Sequence, residues 1–332
     1  MTITEYIEKA LNRMGNQVVF FDNRNFLIPG RIRYKIPYLN NLDLRRINKS
    51  LISIINTFKP DLFLEAGGYR IFPETIDRIK RAGVNTVLWT IDPPREFEPV
   101  LQAALFYNFV FTGGSEAYDI LKDAGIKELH WLPFACDPDF HKPRRLADEE
   151  RRLYSCDIAF VGTVNPGLYP FRVKILESIS DLDLGVWGPG VEGISSSSPL
   201  NRKIRGDKAT SDIWTKIYSQ AKIVLCIHFK DPSGKIPCYQ ASPRVYEAMA
   251  CGAFLIVDAQ RDVMDLFKLD EELVVFKDLK DLRKKILYYL KHQSKREKIA
   301  QKGQEIVTSR HTYKHRVQKM LSIVTGGNFN GA

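Results

Sequence analysis

The chain has 332 residues, of which 44% are hydrophobic and 27% charged, and its formal net charge is +10. This length suits two domains of about 150 residues each, and each would be large enough to bury a core without disulfides or a structural metal. Nowhere do 18 apolar residues run together, so the sequence predicts no membrane-spanning helix.

Cysteine usage indicates a reducing compartment. The five cysteines are odd in number, and no two of them are separated by only two residues. The first fifteen residues mix charged and apolar side chains and lack the apolar core of a secretory signal. We therefore expect reduced thiols and a cytoplasmic protein.

Short apolar runs alternate with amphipathic stretches along the first half, a pattern typical of βαβ units and parallel sheet. Proline near helix starts and glycine after helix ends support the assignments. Strands are predicted at residues 17–21, 62–65, 86–90, 109–112 and 129–132, and helices at residues 43–58, 73–82, 99–107 and 115–124.

The pattern restarts after residues 133–153, a stretch rich in proline and mixed charge that predicts a connection between domains. Strands are predicted at residues 157–162, 184–187, 223–227, 254–257 and 273–276, with helices at residues 169–180, 212–219 and 243–250. The sequence thus predicts an α/β protein of two Rossmann-like domains, residues 1–145 and 146–311, with a cleft between them. A helix at about 312–325 is a candidate to pack back on the first domain.

Residues 242–258 predict a capped helix that feeds a strand. Ser242 is a good N-cap, and Arg244 and Glu247 lie three residues apart on one helical face near its amino end. A carboxylate there can accept hydrogen bonds from a ribose diol, and a guanidinium beside a helix amino terminus suits a diphosphate. The alternative is a surface Arg–Glu pair that only supports the helix.

Residues that follow predicted strands are further candidates, because ligands in open α/β sheets bind beyond the carboxyl ends of the strands. Gly162 and Thr163 follow the first strand of the second domain, and Gly188 follows the next. Glycine lets the backbone approach a ligand, and Thr163 can offer a hydroxyl and an N–H to phosphate. The alternative is that these are ordinary turn residues.

Residues 242–258 resemble the donor-nucleotide helix of GT-B glycosyltransferases, in particular the branch that includes the spore maturation protein CgeB. Other segments are similar to that branch at residues 157–163, 186–190, 218–228 and 311–316, and in the first half at 88–94 and 132–138. The resemblance implies a GT-B fold that moves a sugar from a nucleoside-diphosphate sugar to an acceptor hydroxyl, with Glu247 on the donor ribose and no other cofactor.

One position departs from the pattern of retaining GT-B enzymes. Many of them carry a second glutamate eight residues before the one on this helix, and here that position is Tyr239. The ribose role of Glu247 is therefore carried over, whereas a sugar-contacting glutamate is not. Donor sugar and stereochemical outcome stay open.

The transfer implied by the resemblance develops negative charge on the departing nucleoside diphosphate. The sequence has no Asp-x-Asp motif of the kind that metal-dependent sugar transferases use, and its histidines show no ligand spacing with carboxylates or thiols, so we expect no metal. Cationic side chains are then needed, and Arg205, Lys235 and Arg244 are the candidates. For Arg205 and Lys235 the alternative is an exposed loop charge.

Asp92 is the candidate catalytic residue. It ends a predicted strand of the first domain and would act as general base on the acceptor hydroxyl if the reaction inverts, or orient the acceptor if it retains. The alternative is an aspartate that merely starts a turn before Pro93.

A basic stretch near the end has consequences for partners. Residues 283–319 contain twelve Lys or Arg and two Glu, which would attract an acidic acceptor or an anionic membrane, or else form solvated helices. Nucleic acid is not expected, because aromatic interleaving and a known module are missing. Two alternative functions remain: a sugar-nucleotide epimerase of the same fold, and a basic binding protein for nucleic acid or an anionic surface with a degenerate sugar site.

Overall fold

The computed structural model describes residues 2–68, 70–91, 97–208 and 210–327. The chain divides into two compact units, one formed by Thr2–Pro133 together with the chain from Val317 onward, and the other by Phe134–Arg316. No helix in the described ranges is both long and apolar enough to cross a membrane. All five cysteines are free thiols.

The first unit contains a parallel sheet of four strands in the order β1-β2-β3-β4, packed against helices through residues such as Leu51, Ile76 and Leu88. The strands are β1 (Leu62–Ala66), β2 (Asn85–Thr90), β3 (Phe109–Thr112) and β4 (Leu129–Trp131). The helices are α1 (Ile3–Arg13), α2 (Gly30–Arg33), α3 (Pro37–Phe58), α4 (Pro73–Arg81), α5 (Phe97–Ala104) and α6 (Ser115–Asp123).

The second unit contains a parallel sheet of six strands. The strands are β5 (Ile158–Val161), β6 (Leu184–Trp187), β7 (Ile204–Gly206), β8 (Ile223–Cys226), β9 (Leu255–Asp258) and β10 (Val274–Phe276). The helices are α7 (Asp148–Tyr154), α8 (Pro170–Glu177), α9 (Ser211–Gln220), α10 (Pro243–Ala250), α11 (Arg261–Leu266), α12 (Leu279–Lys291) and α13 (Gln293–Arg310). The last helix, α14 (Tyr313–Val324), begins in this unit and belongs to the first unit from Val317 onward.

The strand order of the second sheet defines where a ligand would bind. The order is β10-β9-β8-β5-β6-β7, so the chain builds outward from β5 in one direction and then from β8 in the other. β5 and β8 pair directly, with Ile158 opposite Ile223. This is the doubly wound arrangement, in which ligands bind beyond the carboxyl ends of the strands at the point where the order reverses. We call the carboxyl ends of β5 and β8 the switch point.

Three local predictions differ from the structure. Residues 17–21 form no strand, and Val19 and Phe20 are 46% and 45% exposed instead of covered by sheet pairing. Strand β7 lies in a stretch predicted as a polar loop, because three residues are too few to show a period. Helix α3 begins at Pro37, six residues before the predicted start, because proline is well tolerated in a first helical turn.

Candidate functional site

Two glycine loops lie side by side at the carboxyl ends of β5 and β6. Gly162 and Gly188 have φ values of +154° and +144°, which disfavour any residue with a side chain. A Cβ on Gly188 would stand 2.2 Å from the Gly162 carbonyl oxygen, so the two backbones touch. The Gly162 N–H donates to the Trp187 carbonyl at 2.9 Å. Glycine at both positions therefore allows the two loops to pack backbone against backbone beside the switch point.

Arg244 projects from the first turn of α10 onto this backbone. Its Nη1 donates to the carbonyl of Val161, the last residue of β5, at 3.1 Å. A Cβ on Gly162 would lie 2.4 Å from the same nitrogen. The guanidinium is half-buried and lies 5.9 Å from the Phe160 ring centroid. A positive charge is thus fixed where β5 ends.

Glu247 lies one helical turn after Arg244 and is buried, with 6% of its surface exposed. Burial raises the pKa of its carboxyl group to about 7, and the positive charge of Arg244 opposes that rise. His141, fully buried, places its Nε2 3.8 Å from Glu247 Oε1. Its Nδ1 accepts the Asp137 N–H at 3.0 Å, so the ring proton is on the nitrogen that faces Glu247.

A buried His–Asp pair fixes the amino end of α10. The Ser242 N–H donates to His228 Nε2 at 3.1 Å, so the proton of a neutral ring is on Nδ1, which lies 2.6 Å from Asp258 Oδ1. Asp258 also accepts the backbone N–H of His228 at 2.9 Å. Burial raises the pKa of the Asp258 carboxyl group, but the contacts with His228 outweigh that effect and hold the pKa at about 2. Ser242 occupies the N-cap position as predicted, but its side chain makes no capping hydrogen bond.

Arg172 of α8 joins the two sides of the switch point. Its Nη1 donates to the Thr163 carbonyl at 2.7 Å, and its Nε and Nη2 donate to the Ile227 carbonyl at 3.1 and 2.8 Å. Thr163 follows β5 and Ile227 follows β8. One buried side chain therefore ties together loops that are more than sixty residues apart in the sequence.

The structure brings most of the predicted donor residues together, and two lie apart. Arg205 donates to the Ser155 carbonyl at 2.7 Å and to Asp183 at 3.0 Å, and both of these precede strands, at the edge of the sheet opposite the switch point. Lys235 lies in an exposed loop, where its backbone N–H donates to Asp231. Asp92 lies outside the described residues. Those assembled around the switch point are Gly162, Thr163, Gly188, Ser242, Arg244 and Glu247.

Sequence reasoning missed four buried polar residues: His141, Arg172, His228 and Asp258. For two of them a signal was available, because Asp258 ends β9 and His228 follows β8, which places both at carboxyl ends of neighbouring strands. His141 and Arg172 lie away from strand ends, and nothing local distinguishes them from ordinary polar residues.

A cavity of about 900 Å³ lies in the other unit, lined by α1, residues 16–24, β1 and the end of α14. None of the predicted donor residues lines it. By volume alone, this cavity and not the switch point would be chosen as the ligand site. The convergence of charged groups and exposed backbone points toward it, and this is the stronger criterion for a nucleotide.

Comparison with known proteins supports the same region. Residues 172–322 match a protein family described as glycosyl transferase-like. Among curated proteins, none matches the sequence. HepE of Anabaena, in complex with UDP and glucose, superposes with a TM-score of 0.64 at 13% identity, over 96% of this chain and 89% of that one. Sucrose-phosphate synthase from Thermosynechococcus elongatus superposes with a TM-score of 0.64 at 12% identity, over 90% of this chain and 80% of that one. A glycosyltransferase from Rickettsia africae superposes with a TM-score of 0.62 at 14% identity, over 97% of this chain and 88% of that one.

The structural likenesses show a GT-B fold of two Rossmann-like domains, which confirms the predicted fold class. The matching family covers Arg172, Arg244, Glu247 and strand β8, and it begins after β5. The chain therefore has a GT-B fold, and residues 172–322 match a glycosyl transferase-like family; the two alternative functions are not favoured.

Proposed function

We propose that the Phe134–Arg316 unit binds the nucleoside diphosphate of a sugar nucleotide at the switch point, from which the sugar passes to an acceptor hydroxyl. One observation carries the proposal. A buried carboxylate and a fixed guanidinium, Glu247 and Arg244, stand on consecutive turns of a helix whose first turn contacts the glycine loop after β5. This combination offers one group for each part of a nucleoside diphosphate.

Glu247 binds the ribose in this proposal. Its carboxylate accepts both hydroxyls of the diol, a pairing that suits a buried acid which has few other polar neighbours. The His141 Nε2–H at 3.8 Å helps hold the charged form in place. Because burial raises the pKa of Glu247 to about 7, the acid gains most from a ligand that donates hydrogen bonds to it.

The diphosphate lies against Arg244, the amino end of α10 and the backbone of Gly162 and Thr163. Because Gly162 has no side chain, the Arg244 guanidinium packs against the loop backbone, where a diphosphate would meet it. As the bond from the anomeric carbon to the diphosphate oxygen breaks, negative charge grows on that oxygen, and Arg244 and the helix amino end stabilise it. In the same step the acceptor oxygen bonds to the anomeric carbon and loses its proton.

Asp92 stays a prediction, as a base if configuration inverts and as an orienting group if it is retained. The resemblance of residues 242–258 to the CgeB-like branch supports a place in that branch, and Tyr239 leaves the sugar unassigned. The acceptor is a hydroxyl compound, and an acidic or membrane-associated one suits the basic chain. The donor needs no metal in this scheme.

Calorimetry with UDP, ADP and GDP tests the donor site. HepE was crystallised with UDP, so the uridine nucleotide is the first choice. We expect Glu247→Ala to weaken binding by about 1–3 kcal/mol, the cost of deleting a charged hydrogen-bond partner. Glu149→Ala, an exposed acid on α7, is the matched control and should bind as wild type.

Unchanged nucleotide affinity in Glu247→Ala would sink this assignment. The matching activity assay incubates the sugar nucleotide alone and then with candidate acceptors. Conversion of the donor to an isomer without any acceptor would favour the epimerase instead.

A further inference from the structure

Residues 27–42 of the first unit expose an unusual concentration of apolar side chains. Single exposed apolar residues are common on protein surfaces, whereas a concentration of them is a candidate interaction site. Six large side chains within these sixteen positions are between 41% and 80% exposed: Leu27, Ile32, Tyr34, Ile36, Tyr38 and Leu42. We call this group the 27–42 surface.

The 27–42 surface stands on a fixed backbone. Asp43, which is buried, accepts the N–H groups of Leu27 and Ile28 at 3.2 and 2.9 Å and so anchors the chain before α2 to α3. Tyr38 and Leu42 are four residues apart on α3 and therefore share one helical face. The apolar side chains are thus presented outward by local structure.

The charge on this surface has one sign. Residues 27–42 contain Arg31, Arg33 and Lys35 and no acidic residue. Arg31 and Lys35 are exposed, whereas Arg33 is buried with its guanidinium 3.3 Å from the Phe26 ring centroid. The acids that flank the stretch, at positions 22 and 43, are each paired with an arginine. Any partner of this surface must therefore accept apolar groups and positive charge together.

We propose that the 27–42 surface docks on the anionic face of a lipid bilayer. Aromatic rings that carry a hydroxyl, such as Tyr34 and Tyr38, suit the boundary between hydrocarbon and head groups. Arg31 and Lys35 would meet the anionic head groups beside them. Apolar residues interspersed with cations on a short helical surface have the composition of an interfacial membrane anchor.

The basic stretch at residues 283–319 fits a membrane less well, because its charges are partly used within the protein. Arg283 pairs with Asp181 and Lys302 with Glu271. Arg316, which is buried, donates to a backbone carbonyl. On the 27–42 surface, the exposed cations Arg31 and Lys35 lie in sequence among six exposed apolar side chains.

Vesicle sedimentation of the full chain tests the proposal. Wild type should sediment with vesicles of phosphatidylglycerol and phosphatidylcholine, and less with phosphatidylcholine alone. Tyr34→Ser/Tyr38→Ser should lower the partition coefficient at least about tenfold, from lost aromatic burial. Arg31→Ser/Lys35→Ser should lower it about tenfold at low salt and less at high salt.

Leu153→Ser is the matched control, because Leu153 is 64% exposed on α7, a helix that begins with three acids. It should bind vesicles as wild type. Wild type that stays in the supernatant, or a Tyr34→Ser/Tyr38→Ser variant that sediments as well as wild type, overturns the proposal. Melting temperature and UDP affinity of each variant, expected unchanged, separate this result from failure of the donor site.

Discussion

The Arg244 guanidinium occupies the space that a side chain on Gly162 would need. A Cβ there lies 2.4 Å from Arg244 Nη1, while that nitrogen donates to the Val161 carbonyl at 3.1 Å. Helix α10 and the loop after β5 can therefore meet in this way only when residue 162 is glycine. The proposed diphosphate contact depends on both residues at once.

Gly162→Ala should therefore damage donor binding more than folding. The methyl group displaces the Arg244 guanidinium, so we expect UDP affinity to fall at least about tenfold, with a stability loss of about 1–3 kcal/mol from backbone strain. Gly234→Ala is the control, since it also has positive φ but no atom within 4 Å of the added Cβ.

A double-mutant cycle shows whether the effect of Gly162→Ala on affinity passes through Arg244. In an Arg244→Ala background, Gly162→Ala should change UDP affinity little, because the displaced group is already gone. Additive losses of affinity in the double variant would contradict the relationship.

Glu247→Gln should stabilise the protein without nucleotide. Burial raises the native pKa to about 7 from 4.5, so between these pH values the folded state binds more protons than the unfolded state. Stability then falls as pH rises through that window, and the amide removes the loss. We expect Glu247→Gln to gain about 1–3 kcal/mol above pH 7 in urea unfolding and no advantage below pH 4.5. If Glu247→Gln were less stable than wild type above pH 7, the surrounding charges and hydrogen bonds would have to offset the free-energy cost of burying the carboxylate.

Asp258→Asn should destabilise the second unit. The carboxylate accepts one hydrogen bond from the backbone N–H of His228 and one from its Nδ1, and the pKa of Asp258 is held at about 2. Because this pKa lies below the unfolded value of 3.8, the stabilisation is present above 3.8 and is lost as pH falls through about 2. We expect a loss of about 2–4 kcal/mol at neutral pH in urea unfolding. Asp265→Asn, an exposed acid on α11, should cost little, and an equal loss in both variants would refute the special role of Asp258.

Arg172→Lys should loosen the switch point. A lysine has one donor group at its end and cannot replace the forked contacts to the Thr163 and Ile227 carbonyls. We expect about 1–3 kcal/mol lower stability and faster amide hydrogen exchange in the loops after β5 and β8. Arg202→Lys, an exposed position, should leave both unchanged. Unaltered exchange in Arg172→Lys would mean that the loops are held by other contacts.

Where local rules decide, the sequence allowed the fold to be predicted, together with several of the candidate residues that the structure brings near one another. Helix α10 begins and ends where predicted, because a proline opens it and a glycine follows it. Gly162 and Gly188 were found because each follows a buried strand. Arg205 was predicted to contact the donor because its strand, β7, has the sequence of a polar loop. Its side chain contacts residues at the amino ends of neighbouring strands, and no local sequence signal shows that direction.

The buried partners could not be predicted for a different reason. His141 meets Glu247 across more than one hundred residues of sequence, and Arg172 contacts a carbonyl 55 residues away. Such pairs depend on how strands are ordered, and residue patterns do not show that order.

In the proposed donor site, the position of Glu247 also makes nucleotide binding a proton-linked event. With a pKa of about 7 in the free protein, the acid is about half protonated at neutral pH. A ribose that binds only the carboxylate form would then expel about half a proton into the solvent at that pH. The heat measured on nucleotide binding would include the ionisation heat of the buffer, so enthalpies recorded in phosphate and in Tris would differ even though the contacts are the same.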